Sequence, residues 1–260
     1  MRKYWTTEEI ELLKIHYPSM DKNQLENIFN RTWKAIKDKA NKEKIYRVKG
    51  NEGLSILLED TPVSFYWIGF LLADGSFTNN GLSLELSTKD IEHLKKFCSF
   101  IKTTNFYSRT RILNDKEYYQ CSTSVINTNI IAEIRKKFDI CNNKTKNPPN
   151  ISSYSFKEEL ILALFIGFID GDGSISKSEN NSSRLRIETD ISWLNNLQVF
   201  ETILYSYFNQ CTRRTSGLLS RETSRGSAKL EITNTQYLRE LNNFAINNAL
   251  PVLDRKWRII

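Results

Sequence analysis

One phrase occurs twice in this chain. Residues 68–76 read IGFLLADGS and residues 166–174 read IGFIDGDGS, with six of nine positions identical. Asp74 and Asp172 occupy the same place in the two copies and lie 98 residues apart. That offset is domain-sized, so each copy heads its own half of a duplicated unit. Each is an apolar run that ends in a carboxylate followed by glycine.

A helix that is apolar on every side has to be buried on every side. Small residues recur four apart in both copies, Gly69/Ala73 and Gly167/Gly171. Such a stripe lets two helix backbones approach closely, in water as in lipid. The simplest arrangement packs the two helices on each other and brings Asp74 and Asp172 together. Each carboxylate then faces the negative end of a helix dipole as well as the other carboxylate. A shared proton or a hard divalent cation relieves both. Aspartic proteases share a proton, but their aspartates sit in Asp-Thr/Ser-Gly loop turns, whereas both copies here are Asp-Gly-Ser after an apolar helix.

Composition divides the rest. The chain has 260 residues and a net charge of +7. Residues 1–50 hold 12 Lys+Arg against 7 Asp+Glu, so most of the excess sits there, and an anionic partner is expected. Residues 1–45 read as three short helices. Thr6 or Thr7 caps the first, which carries Ile10, Leu13 and His16 and stops at Pro18. Asp21 begins the second, with Leu25, Ile28 and Phe29 apolar. On the third, Trp33, Ile36 and Ala40 share the inward face, and Lys34, Lys37, Asp38 and Asn41 lie opposite. That is the plan of a helix-turn-helix module with a basic recognition helix. Residues 46–60 read as a linker. Residues 61–150 and 151–260 each read helix, strand, helix, strand, strand, helix. The strands fall at 81–88, 106–113 and 117–124 in the first half, and at 184–190, near 210–215 and at 228–233 in the second.

The phrases WIGFLLADG and FIGFIDGDG resemble the LAGLIDADG motif of homing endonucleases, and the likeness extends over roughly residues 61–260. The opening WTTEE, the His-Tyr-Pro after the first helix and NRTWKAIKDKA resemble Myb/SANT-like helix-turn-helix modules. Two copies in one chain are similar to the single-chain, pseudo-twofold members of the family. The resemblance implies an α+β fold: two αββαββα repeats with the motif helices at their interface, and curved sheets forming a saddle on the DNA major groove. It also implies cleavage of both strands with Mg²⁺, leaving short 3′ overhangs, and an origin in a mobile element such as an intron. Carried over residue by residue, the metal-binding acids are Asp74 and Asp172, with the backbone carbonyls of Ala73 and Gly171 as secondary ligands. Lys144 and Lys256 stand where assisting lysines occur, and Asp170 is a polar partner, not a ligand. The first copy departs at Leu72, which is not the family's catalytic position.

Base reading by such sheets falls on alternate outward residues. In the first half these are Ser83, Glu85 and Ser87 with Arg109 and Arg111. In the second they are Arg184, Arg186 and Glu188 with Arg213, Arg214 and Lys229. The helical module adds Lys34, Lys37 and Asn41. Because the sheets differ, the expected partner is a long, asymmetric double-stranded DNA bound by a monomer. Two rivals remain: a regulator that binds without cutting, and an intron maturase whose partner is RNA. His16 and His93 are the only histidines and neither lies in a nuclease histidine motif, which argues against that class; Met1 and the lack of a terminal His-Asn junction argue against an intein. Cys98, Cys121, Cys141 and Cys211 have no zinc or redox spacing and read as free buried thiols. With no apolar leader and no run long enough to cross a bilayer, a soluble intracellular protein is expected.

Overall fold

The computed structural model describes residues 4–17, 20, 22–45, 52–113, 116–177, 183–208, 217–258 and 260. The chain divides into two compact units, residues 1–52 and 53–260.

The smaller unit has three helices, α1 (Thr7–His16), α2 (Lys22–Phe29) and α3 (Trp33–Lys42). Thr6 opens α1 with a reciprocal capping box: its hydroxyl accepts from Glu9 N at 3.1 Å, and its own N–H donates to the Glu9 carboxylate at 3.0 Å. Leu13, Tyr17, Leu25, Phe29, Ile36 and Ala40 are buried together, with Trp5 and Trp33 packed against them. The Arg31 guanidinium lies 4.2 Å from the Trp5 ring centroid and donates to Glu9 at 3.0 Å, tying α1 to the α2–α3 turn. Ile28 departs from the expected pattern and is exposed. Pro18 and Asp21 lie outside the described residues.

The larger unit opens with a 3-10 helix at Glu52–Leu58. Leu54 and Leu57 are buried in the main core, so this stretch is anchored and the linker reading fails beyond residue 52. Two series of elements follow. The first is α4 (Pro62–Ala73), β1 (Gly75–Phe77), β2 (Gly81–Ser87), α5 (Ile91–Phe100), β3 (Tyr107–Leu113), β4 (Lys116–Ile126) and α6 (Thr128–Lys137). The second is α7 (Glu158–Asp172), β5 (Gly173–Lys177), β6 (Ser183–Asp190), α8 (Leu194–Phe208), β7 (Leu218–Glu222), β8 (Ser227–Ile232) and α9 (Thr235–Asn247), and α10 (Asp254–Trp257) closes the tail. Each series is αββαββα. The pattern reading lacked β1, β5 and β7; the strand expected near 210–215 lies outside the described residues, as do Cys211, Arg213 and Arg214.

Both sheets are antiparallel with equivalent orders, β1-β2-β4-β3 and β5-β6-β8-β7. Alternation fixes their faces. Leu82, Leu84 and Leu86 point inward with Cys121, Thr123 and Val125, as do Leu185 and Ile187 with Ala228, Leu230 and Ile232. One continuous core joins both halves. Its centre is α4 and α7, where Ser64–Leu72 and Leu160–Asp170 are buried without interruption. Cys98 and Cys121 are buried free thiols; Cys141 is exposed, contrary to expectation.

Candidate active site

Glycine lets the two central helices touch. A side chain at Gly69 would strike the Leu164 carbonyl, and one at Gly167 would strike the Tyr66 carbonyl and the Phe70 amide. The contact is reciprocal: each helix offers its glycine to a carbonyl of the other. Further along, a Cβ on Gly171 would strike the Ala73 methyl and lie 3.5 Å from the Asp74 carboxyl carbon. The helix ends meet, and the acids that close the two repeated phrases share one place.

Asp74 and Asp172 are exposed toward solvent, and neither carboxylate has a hydrogen bond or ion pair among the described residues. The crowding that perturbs them comes from the helix ends behind. It pushes Asp74 up to about 6; the charge of Asp172 raises it further, and Lys256 and Lys144 oppose. Desolvation also raises Asp172, again opposed by Lys144 and Lys256.

Two lysines complete the cluster. Lys144 Nζ donates to the carbonyls of Leu72 at 2.7 Å and Ala73 at 2.8 Å. Lys256 Nζ donates to Ile169 at 3.0 Å, Asp170 at 2.5 Å, Gly171 at 3.3 Å and Gly173 at 2.6 Å. Each therefore caps the C-terminal end of the central helix of its own repeat, α4 or α7, where unpaired carbonyls and the dipole attract a cation. Burial lowers both ammonium pKa values, and the neighbouring aspartates counteract it. These lysines were read as assisting groups; they also hold the two backbone carbonyls read as secondary metal ligands, Ala73 and Gly171.

Asp170 plays a different part. It is 1% exposed and accepts from Tyr66 Oη at 2.7 Å, Leu253 N at 2.8 Å and Trp257 Nε1 at 2.7 Å. Tyr66 Oη is also 3.1 Å from His93 Nε2. This buried network crosses between repeats. Nothing in the sequence announced the pairing of Tyr66, which stands in an apolar run, with Trp257, which stands between Lys256 and Arg258.

The outer faces of the sheets carry the expected polar residues. In the first, Ser83, Glu85 and Ser87 oppose Ser124, Ser122 and Gln120, and Arg109 lies opposite Gln120. Glu85 pairs with Arg109 and, at 3.7 Å, with Arg111, so these cations are partly neutralised within the sheet. In the second, Arg186 opposes Glu231, Glu188 opposes Lys229, and Arg184 pairs with Glu231. Lys229 is a correction: it is buried and bound to Glu231 at 2.6 Å, not free for an external partner. Arg221, opposite Lys229 on β7, is exposed on the same face. In the helical unit, Lys34, Lys37 and Asn41 are exposed on α3.

No protein-family model matches the chain. No curated protein matches it either. Among solved structures it is similar to the LAGLIDADG meganuclease I-CpaMI bound to uncleaved DNA, at 13% identity over 75% of this chain and 87% of that one, with a TM-score of 0.47. It is also similar to the I-LtrWI LAGLIDADG homing endonuclease bound to target DNA (12%, 74% and 86%, 0.45) and to I-DmoI in complex with DNA and Ca (11%, 77% and 97%, 0.43). No helix among the described residues is long and apolar enough to cross a membrane.

Proposed function

We propose that this chain is a site-specific, Mg²⁺-dependent endonuclease of the homing type, which cuts both strands of a long asymmetric DNA and leaves short 3′ overhangs. The observation that carries this reading is the meeting of Asp74 and Asp172 at the end of the glycine seam, flanked by Lys144 and Lys256.

The donor set fits a hard divalent ion. Two carboxylates without protein partners stand together, each beside a carbonyl end that retains a second lone pair after the lysine bond. No cluster of three or more His, Cys, Asp or Glu that could hold a metal occurs among the described residues. An ion here would thus keep coordination positions for water and phosphate, as Mg²⁺ prefers. Asp74 and Asp172 would each hold such an ion, with the carbonyls of Ala73 and Gly171 nearby. When bound, it supplies an activated water and charge stabilisation at phosphorus.

The protein's own groups prepare that chemistry. Lys144 and Lys256 hold both helix ends in place and offset the carboxylate charge. The outward residues Ser83, Glu85, Ser87, Arg109, Arg111, Arg184, Arg186 and Glu188 would face the major groove, with Arg213 and Arg214 expected beside them. Two repeats in one chain make a monomer sufficient. The α3 face of Lys34, Lys37 and Asn41 would add a tethered flanking contact. Replacing Asp74 or Asp172 by Asn should lower cleavage of a cognate duplex in Mg²⁺ by on the order of a hundred-fold or more, with affinity in Ca²⁺ nearly unchanged. Full cleavage by either variant refutes the assignment, and tight binding by a wild-type protein that never cuts favours a regulator.

A further inference from the structure

The two LAGLIDADG helix ends are equivalent in sequence position but not in how they are held. The last turn of α7 is fixed from several sides. Asp170 accepts from Tyr66, Leu253 and Trp257, and Lys256 reaches four carbonyls between Ile169 and Gly173. At the matching position of α4 stands Leu72, which is buried and apolar. There, among the described residues, Lys144 reaches only Leu72 and Ala73. The donors to Asp170 come from three elements, α4, the tail before α10, and α10 itself. Asp170 lies two residues before Asp172, so any movement of its carboxylate turns the end of the helix that carries Asp172.

We propose that Asp170, clamped by Tyr66 and Trp257, is a positioning residue for Asp172 alone, so that the two strand cuts depend on separately supported carboxylates. The inference rests on the nuclease reading for its consequence, but its mechanical part does not. Three donors and no acceptor face Asp170, which suits a carboxylate held by hydrogen bonds. A rigid first set of bonds around a neighbouring residue is what keeps a functional group within its productive geometry. Among the described residues Asp74 has no such bracing, and its helix end follows the packing of α4 on α7.

The test uses the full chain and the variants Tyr66→Phe and Asp170→Asn. Tyr66→Phe removes one bond and keeps the ring, so it leaves the fold in place if Asp170→Asn does not. Each strand of a cognate duplex is end-labelled, and the two cleavage rates are measured separately in Mg²⁺. One strand should slow about ten-fold in Tyr66→Phe while the other stays within about two-fold, so that nicked duplex accumulates. Equal slowing of both strands, or no slowing of either, overturns the proposal. Amide hydrogen exchange tests the mechanical part without any cleavage. In the variants, exchange should rise in residues 169–173 and stay unchanged in residues 72–75. A parallel rise in both segments, or in neither, overturns it. A wild-type protein that cuts neither strand, yet shows the selective exchange change, defeats the nuclease reading and leaves the clamp standing.

Discussion

His93 reports on the buried network through its protonation. It is 3% exposed, and burial, reinforced by Lys96, pushes its imidazole down to about 3, although Asp90 pulls the other way. The Tyr66 hydroxyl proton is committed to Asp170, so His93 carries its own proton on Nε2, and Nδ1 has no partner among the described residues. The unfolded chain takes up a proton below about 6.5, whereas the folded one does not until about 3. Stability from this group is therefore complete above pH 6.5 and is lost as pH falls toward 3. Between pH 7 and 5 the wild type should lose about 2 kcal/mol more than His93→Gln in urea unfolding. The raised pKa values of Asp74, Asp170 and Asp172 act in the opposite sense in both proteins and cancel in the difference. Identical pH slopes would show that His93 is not held neutral. Of these residues, the sequence displayed Asp74 and Asp172 plainly, because a carboxylate after a long apolar run is conspicuous. Tyr66, His93 and Trp257 stayed hidden, since their pairing is created by tertiary approach and leaves no periodic trace.

Among the elements, the seam of α4 and α7 is the most exacting. Replacing Gly167 by Ala places a methyl against the Tyr66 carbonyl and should cost about 1–3 kcal/mol in thermal or urea unfolding. The Gly69→Ala change strikes Leu164 on the same interface. Helices already forced apart by one methyl have less to lose to the second, so the double variant should fall short of the sum of the singles. Strict additivity would mean that the glycines do not share one interface. These helices were legible because an all-round apolar pattern admits only a central position. The outward strand faces were legible from alternation, as Leu82, Leu84 and Leu86 show. Strand β1 was not, because three residues after a helix give alternation too little length to register. Lys229 misled for another reason: its position on the outer face was read well, but its capture by Glu231, two residues along the same face of β8, was not.

For the molecule as a whole, the division at residue 52 makes the helical unit separable. A chain lacking residues 1–52 should melt within a few degrees of the intact larger unit and keep cutting. Its affinity for DNA should fall about ten- to a hundred-fold with a shallower dependence on salt, since most of the net positive charge lies in residues 1–50. Unfolding on truncation would show that the units are not independent. The larger unit carries a burden of its own. Helix α4 ends at Ala73, and the helix that covers it begins only at Glu158. During synthesis a rod with no polar side emerges well before its cover exists. Closing so long a loop is slow, and the uncovered surface is adhesive in the meantime. The same seam that brings two acids together thus leaves the nascent chain with an uncovered apolar rod until the second helix has left the ribosome.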